Sequence, residues 1–203
     1  MSADAIRVDV AGPVHGAGIG AAFPAHRWVG PLTVADEAVL AHAVGPVLDV
    51  GCGPGRHVVA LAGRGVLTLG IDITPAAIAL ARNAGAPVLE RSIFDRVPGA
   101  GRWATALLLD GNLGIGGDPA LLLTRVAALL RPGGSVLVEL EAPGARRGPQ
   151  LVRLTIDDDA GPWFRWTAVA MDDIDVVADA SGFTVGDTWS VGGRWFARCR
   201  AAR

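Results

Sequence analysis

The chain contains no lysine. All 18 of its basic residues are arginine, set against 20 acidic ones, for a formal charge of −2 and a pI near 6.0. That balance lacks the basic excess that binding to a phosphate backbone demands, so nucleic acid is not an expected partner. Cysteine is nearly absent: Cys52 and Cys199 are too few for a disulfide framework and have no partner cluster for a zinc site, which fits a reducing cytoplasm. Charged residues, Gly or Pro interrupt every apolar stretch well short of the ~18 residues a membrane helix needs. The uncharged stretch 11–25 is studded with Gly and Pro and preceded by acidic Asp4 and Asp9, unlike a secretory leader. A soluble, cytoplasmic protein without membrane contact is expected. His15, His26, His42 and His57 are scattered without an i, i+4 pair, so no metal site is expected. No G-x-S-x-G elbow marks a hydrolase.

What the chain has in quantity is apolar surface: 51% of its 203 residues are hydrophobic and 19% charged, with a mean hydropathy of +0.40. That is enough to offset the conformational entropy of one compact domain, and the length excludes a second large one. Residues 1–30 read as an N-terminal extension or cap, on which Phe23 and Trp28 are expected to dock against the body. Residues 31–203 read as a single domain, with 151–170 as a candidate hairpin lid.

From Pro46 onward, short apolar runs alternate with helix-period segments, the pattern of βα units that build a parallel sheet covered on both faces. Strands are expected at 47–50, 66–71, 87–91, 103–109 and 135–140. Thr74 reads as an N-cap, Pro75 as the first helical residue and Gly85 as the stop of one helix. Asp118-Pro119 opens another, expected to run to Arg131, where Pro132-Gly133-Gly134 ends it. Later, 151–156 and 163–170 read as two arms of a hairpin, 172–180 as a short helix, and 183–190 with 195–200 as an antiparallel pair around Gly192-Gly193.

The chemistry concentrates in Val47-Leu48-Asp49-Val50-Gly51-Cys52-Gly53-Pro54-Gly55-Arg56. A strand that ends in closely spaced glycines before a helix brings backbone N–H groups close to a ligand. About 20 residues further on, Asp72 ends the next strand, where a carboxylate accepts from both ribose hydroxyls of an adenosine. A dinucleotide fingerprint G-x-G-x-x-G needs its third glycine at position 56, which is Arg56, so a nicotinamide cofactor is disfavoured.

At these residues the sequence resembles the class I S-adenosylmethionine-dependent methyltransferases, whose first motif places an acidic residue, here Asp49, two before G-x-G-x-G, here Gly51, Gly53 and Gly55. Gly70-Ile71-Asp72-Ile73-Thr74-Pro75 is similar to the family's second motif, Leu107-Leu108-Leu109-Asp110 to its fourth-strand motif, and Leu130-Arg131-Pro132-Gly133-Gly134 to the turn before its fifth strand. The resemblance spans 46–141. It implies a Rossmann-like, doubly wound α/β fold with a mostly parallel seven-stranded sheet and a C-terminal antiparallel hairpin. The implied activity is in-line methyl transfer from S-adenosylmethionine to a small-molecule acceptor, leaving S-adenosylhomocysteine.

By that resemblance the cofactor would meet Asp49, Gly51, Cys52, Gly53 and Gly55 at the glycine loop, with Asp72 on the ribose diol and Ile73 beside it. Ser92 or Ile93 falls where the family often has an acidic residue for the adenine amine, Asp95 comes slightly late, and Phe94 would supply an apolar wall. Asp110 would sit beside the methionyl amine and the transferring methyl. In the Gly-rich segment after it, Asn112 would orient an acceptor; the plain alternative is a loop needing positive φ before the Asp118 cap. Asp110 and Asn112 are the candidate catalytic residues, and Trp163-Phe164-Arg165-Trp166 is either an acceptor-facing lid or core packing. His57 and Cys52 read as packing residues. A non-catalytic S-adenosylmethionine-binding regulator or partner subunit, and an NAD(P)-dependent oxidoreductase, stand as alternatives. The acceptor atom and oligomeric state are left open.

Overall fold

The computed structural model of the protein describes residues 6–11, 25–145 and 148–202; Phe23 and His15 lie outside them. In chain order these residues form β1 (Ile6–Val10), α1 (Ala25–Trp28), α2 (Val34–Leu40), β2 (Val47–Val50), α3 (Arg56–Gly63), β3 (Thr68–Asp72), α4 (Pro75–Asn83), β4 (Val88–Glu90) and β5 (Trp103–Leu108). They continue with α5 (Pro119–Ala127), β6 (Leu130–Leu140), β7 (Gln150–Ile156), β8 (Asp159–Ala160), β9 (Phe164–Trp166), α6 (Ile174–Ala180), β10 (Phe183–Val191) and β11 (Arg194–Ala201).

Seven strands make the main sheet in the order β10-β11-β6-β5-β2-β3-β4. β4, β3, β2, β5 and β6 run parallel, while β11 is antiparallel to both β6 and β10. This is the Rossmann-like, mostly parallel sheet with a terminal antiparallel hairpin that the family resemblance implied. Both faces are covered, so β2 and β5 are buried at every position and are apolar except for Asp49 and Thr105. Alternation along β2 sends Leu48 and Val50 into one core and Val47 into the other, where α2 and α3 pack through Val39 and Leu61. Asp49 shares the Val47 face by that same period of two.

Some boundaries differ from expectation. The helix opened by Asp118 ends at Ala127, not Arg131, because Leu129 accepts from the Gly101 and Trp103 amides and Leu130 already pairs with Trp103. Pro132-Gly133-Gly134 therefore lies inside β6, at an irregularity in its pairing with β5. Thr74 precedes α4 as expected, but its side chain makes no capping bond; its amide donates to Asp72 instead. Helix α2 had no counterpart in the sequence reading, although Thr33 and Asp36 form a reciprocal capping box at its start.

A second, smaller sheet joins β1, β7 and β8, with β9 also on β7. The expected pairing of 151–156 with 163–170 is present as β7 against β9, from Gln150↔Trp166 to Val152↔Phe164. The N-terminal segment adds a strand to it: β1 pairs along β7 from Ile6↔Ile156 to Val10↔Val152. Among the described residues no helix is long and apolar enough to cross a membrane.

Candidate active site

The carboxyl ends of β2, β3 and β5 meet around a cavity of about 170 Å³. Its floor is the turn after β2. Gly51 and Cys52 both donate from their amides to the Ile71 carbonyl, at 2.8 and 3.1 Å, which bends the chain against β3. Gly51 has φ +71, and a Cβ there would lie 2.7 Å from Asn112 Nδ2, so only glycine fits. Asn112 explains that crowding: its Nδ2 donates to the Val50 and Gly51 carbonyls, each at 2.9 Å. The amide expected to orient an acceptor is thus committed to the glycine turn.

Asp72, at the end of β3, faces the same cavity. Its Oδ2 accepts from the Gly53 amide at 2.9 Å and its Oδ1 from the Thr74 amide at 2.8 Å. Burial pushes its pKa up, against the lowering effect of those backbone donors. Each oxygen keeps a lone pair for a further donor.

Of the other residues expected at a cofactor, Cys52, Gly53, Ile73, Ser92, Ile93, Phe94 and Asp110 border the cavity, as does Asn112, expected at the acceptor; Asp49 and Gly55 do not. Gly55 packs instead against Ala81 and Ala86 of the neighbouring βα unit. Asp49 lies beneath the turn, 1% exposed, with its Oδ2 unbonded and 3.8 Å from His57 Nδ1. Burial raises its pKa to about 6, with His57 opposing. Cys52 is buried and its thiol pKa is pushed up by burial, which suits packing. Ser92 Oγ accepts from the Phe94 amide at 3.2 Å, and Asp95 stays outside the cavity.

Asp110 sits at φ +54 just past β5. Its carboxylate is held from two sides, Oδ2 by Arg56 Nη2 at 2.6 Å and Oδ1 by Arg194 Nη2 at 3.3 Å. These arginines belong to a larger buried cluster. Arg56 Nη1 and Arg194 Nη1 both reach Asp36, at 2.9 and 2.7 Å, and Arg194 also forks onto Glu139, which accepts from the Asp110 amide at 2.7 Å. Burial works to raise the Asp36 pKa, but hydrogen bonds with His57 and Arg194 hold it far below the ordinary carboxylate range. For Arg194, burial disfavours the charge, yet Glu139 and Asp36 lift its pKa further. Such a cluster is costly to break from one side, because the remaining charges are already desolvated.

The sequence reading missed Asp36, Arg56, Glu139 and Arg194. The Thr33-to-Asp36 capping spacing was a readable sign of α2. Arg194 left no local sign, since its partners lie 55 and 158 residues away.

The small sheet walls the cavity opposite the glycine turn with Val8, Leu154, Phe164 and Trp166, and α1 adds Trp28. Trp163 takes no part and stacks under Arg153, 4.7 Å from the ring centre. Trp166 Nε1 donates to the Gly111 carbonyl at 2.8 Å, and the Gly116 and Thr167 amides bond across to Arg165 and Gly114. Strand β9 is therefore clasped to the Gly-rich segment 111–117. Gly114 permits the clasp: a Cβ there would stand 2.0 Å from the Thr167 carbonyl oxygen. A second cavity, of about 260 Å³, opens on the other side of Asp110 and Trp166, which border both. Among the described residues no three His, Cys, Asp or Glu side chains converge in a metal-ligand cluster.

Residues 47–134 match the family model of a methyltransferase domain. Across 98% of its length the chain superposes on 88% of an S-adenosylmethionine-dependent methyltransferase from Bacteroides fragilis, solved with S-adenosylhomocysteine, with a TM-score of 0.75 and 24% identity. It covers 83% of its length and 77% of the Burkholderia thailandensis 1,6-didemethyltoxoflavin-N1-methyltransferase, solved with 1,6-didemethyltoxoflavin and S-adenosylhomocysteine, with a TM-score of 0.61 and 22% identity. A sugar N-methyltransferase from Streptoalloteichus is similar over 83% of this chain and 85% of its own, with a TM-score of 0.60 and 18% identity. Residues 47–134 thus match a methyltransferase domain, and the fold of the chain is that of S-adenosylmethionine-dependent methyltransferases.

Proposed function

We propose that the protein transfers a methyl group from S-adenosylmethionine to a small-molecule acceptor. The observation that carries this reading is the cavity that joins the Gly51–Gly53 turn to the Asp72 carboxylate at the carboxyl edge of the sheet. The residues present fit the cofactor. Asp72 retains acceptor capacity for a ribose diol, the glycine turn leaves room at Gly53, where a Cβ would meet nothing within 4 Å, and Ile73, Ile93 and Phe94 offer an apolar wall to a purine. When bound, the cofactor supplies a methyl group already made electrophilic by a sulfonium.

The protein's own share is positioning and the exclusion of water. Asn112 fixes the shape of the glycine turn from below. Asp110, aimed by Arg56 and Arg194, is placed to meet the methionyl amine through the lone pairs its oxygens keep. The small sheet closes the site with Leu154, Phe164 and Trp166. A small acceptor suits a site roofed in this way, and two of the structural neighbours are by their names a 1,6-didemethyltoxoflavin and a sugar N-methyltransferase.

Calorimetric titration with S-adenosylhomocysteine and with NAD, followed by a small-molecule acceptor panel scored by S-adenosylhomocysteine release, tests the reading. Saturable binding of the thioether and turnover of at least one acceptor are expected. Binding of NAD in its place refutes it, and thioether binding with no turnover points to a non-catalytic binder.

A further inference from the structure

Beside the cofactor cavity, the second cavity is rich in charge: Arg27, Asp110, Glu139, Glu141 and Arg194 all border it. Most of these groups are spent on one another. Arg194 uses Nε, Nη1 and Nη2 on Glu139, Asp36 and Asp110, and Asp110 and Glu139 have both oxygens engaged by Arg56, Arg194 or a backbone amide.

Two groups are left over. Arg27, on α1, has a buried Nε with no hydrogen-bond partner and forms no ion pair with any of the described residues. Its electrostatic surroundings are Arg194, Glu139, Asp110 and Arg56; burial and Arg194 disfavour its charge, while Glu139 and Asp110 support it from a distance without bonding to it. A guanidinium in that position lacks an anion, and the carboxylates near it are bonded to Arg56, Arg194 or a backbone amide and not to Arg27. Glu141, just past β6, faces the same cavity, and its carboxylate is bonded to no described residue. The remaining wall is apolar, with Leu113, Val169 and Trp195 among its members. α1 thus serves both cavities, Trp28 bordering the first and Arg27 the second.

We propose that the second cavity is the acceptor chamber and that Arg27 binds an oxyanion, carboxylate or phosphate, carried by the acceptor. This rests on the methyl-transfer reading above. Glu141 suits an N–H or O–H elsewhere on the same molecule, so the acceptor class is a small anionic compound that also carries an amine or hydroxyl. The shared border at Asp110 and Trp166 puts such a molecule next to the cofactor cavity.

The test is calorimetry with three probes of one ring size, benzoate, phenyl phosphate and benzamide, titrated into the full chain with and without S-adenosylhomocysteine. At least one anionic probe is expected to bind about tenfold more tightly than neutral benzamide, and the better of the two identifies the oxyanion. Arg27→Gln should abolish that preference and Arg27→Lys restore part of it, while S-adenosylhomocysteine binds all three proteins alike. Anionic probes that bind no better than benzamide, or that bind Arg27→Gln as tightly as the wild type, overturn the proposal. Failure of S-adenosylhomocysteine to bind the wild type strikes the methyl-transfer reading instead, and the titrations without it still report on Arg27.

Discussion

Arg194 forks onto Glu139, with Nε 2.7 Å from Oε1 and Nη2 2.6 Å from Oε2, so the first residue of the last strand is locked to the strand beside it at the mouth of the site. The same guanidinium reaches Asp36 on α2 and Asp110 past β5. One side chain therefore ties the C-terminal hairpin, an early helix and the rim of the first cavity into a single unit.

Arg194→Ala leaves three desolvated carboxylates short of a partner, and a loss of about 3–5 kcal/mol in unfolding free energy is expected. Arg194→Lys recovers little, because an ammonium lacks the fork that spans Glu139. Chemical denaturation of the two variants measures both effects. A loss below about 1 kcal/mol for Arg194→Ala contradicts the cluster's role.

Asp49 gives the protein a stability that depends on pH. Its pKa is about 6 in the folded chain against 3.8 for the free side chain, so the folded state holds a proton that the unfolded state has released. Stability therefore falls as pH rises from about 4 to about 6, and above that the buried ionised carboxylate costs roughly 3 kcal/mol. Asp49→Asn should be more stable than the wild type at pH 8 and nearly equal to it at pH 4, by urea denaturation at each pH. An equal difference at both would show that Asp49 does not titrate in this way.

Gly114→Ala drives a Cβ into the Thr167 carbonyl, at 2.0 Å, and towards Trp166 Nε1, at 2.7 Å. Loop 111–117 and β9 must then part, with a stability loss of about 1–3 kcal/mol from overpacking. S-adenosylhomocysteine affinity should weaken as the Trp166 wall shifts. Gly63→Ala, at the end of α3 with nothing within 4 Å of the added Cβ, is the control and should leave affinity unchanged.

Asn112→Ala strips the Val50 and Gly51 carbonyls of their donor, at an expected cost of about 1–3 kcal/mol. If Asn112 acts through the turn, S-adenosylhomocysteine affinity falls in this variant even with no acceptor present. An effect confined to acceptor KM would instead return Asn112 to the acceptor-orienting role.

The parallel core was legible because its signals are local. Apolar runs, the Thr74-Pro75 start and the Gly51, Gly53 and Gly55 spacing all lie within a few residues of what they determine. The position of Asp72 at the cavity was legible for the same reason, since it ends the strand next to the glycine turn. The charged cluster was not: Asp36, Arg56, Glu139 and Arg194 come from four separate elements, and nothing in the neighbourhood of any one of them reports the others. The pairing of β1 with β7 was hidden likewise, because a five-residue strand such as Ile6–Val10 finds its partner about 150 residues away. Asn112 was placed at the right edge of the sheet but given a different task, because a sequence does not say which way an amide points.

The account turns on the first cavity, and a calorimetric titration of S-adenosylhomocysteine into the wild-type chain and Asp72→Ala tests it most directly. A single saturable site is predicted in the wild type, weakened by about 1–3 kcal/mol in the variant through loss of charge-assisted hydrogen bonds. No measurable heat of binding in the wild type, or the same affinity in both proteins, would contradict it.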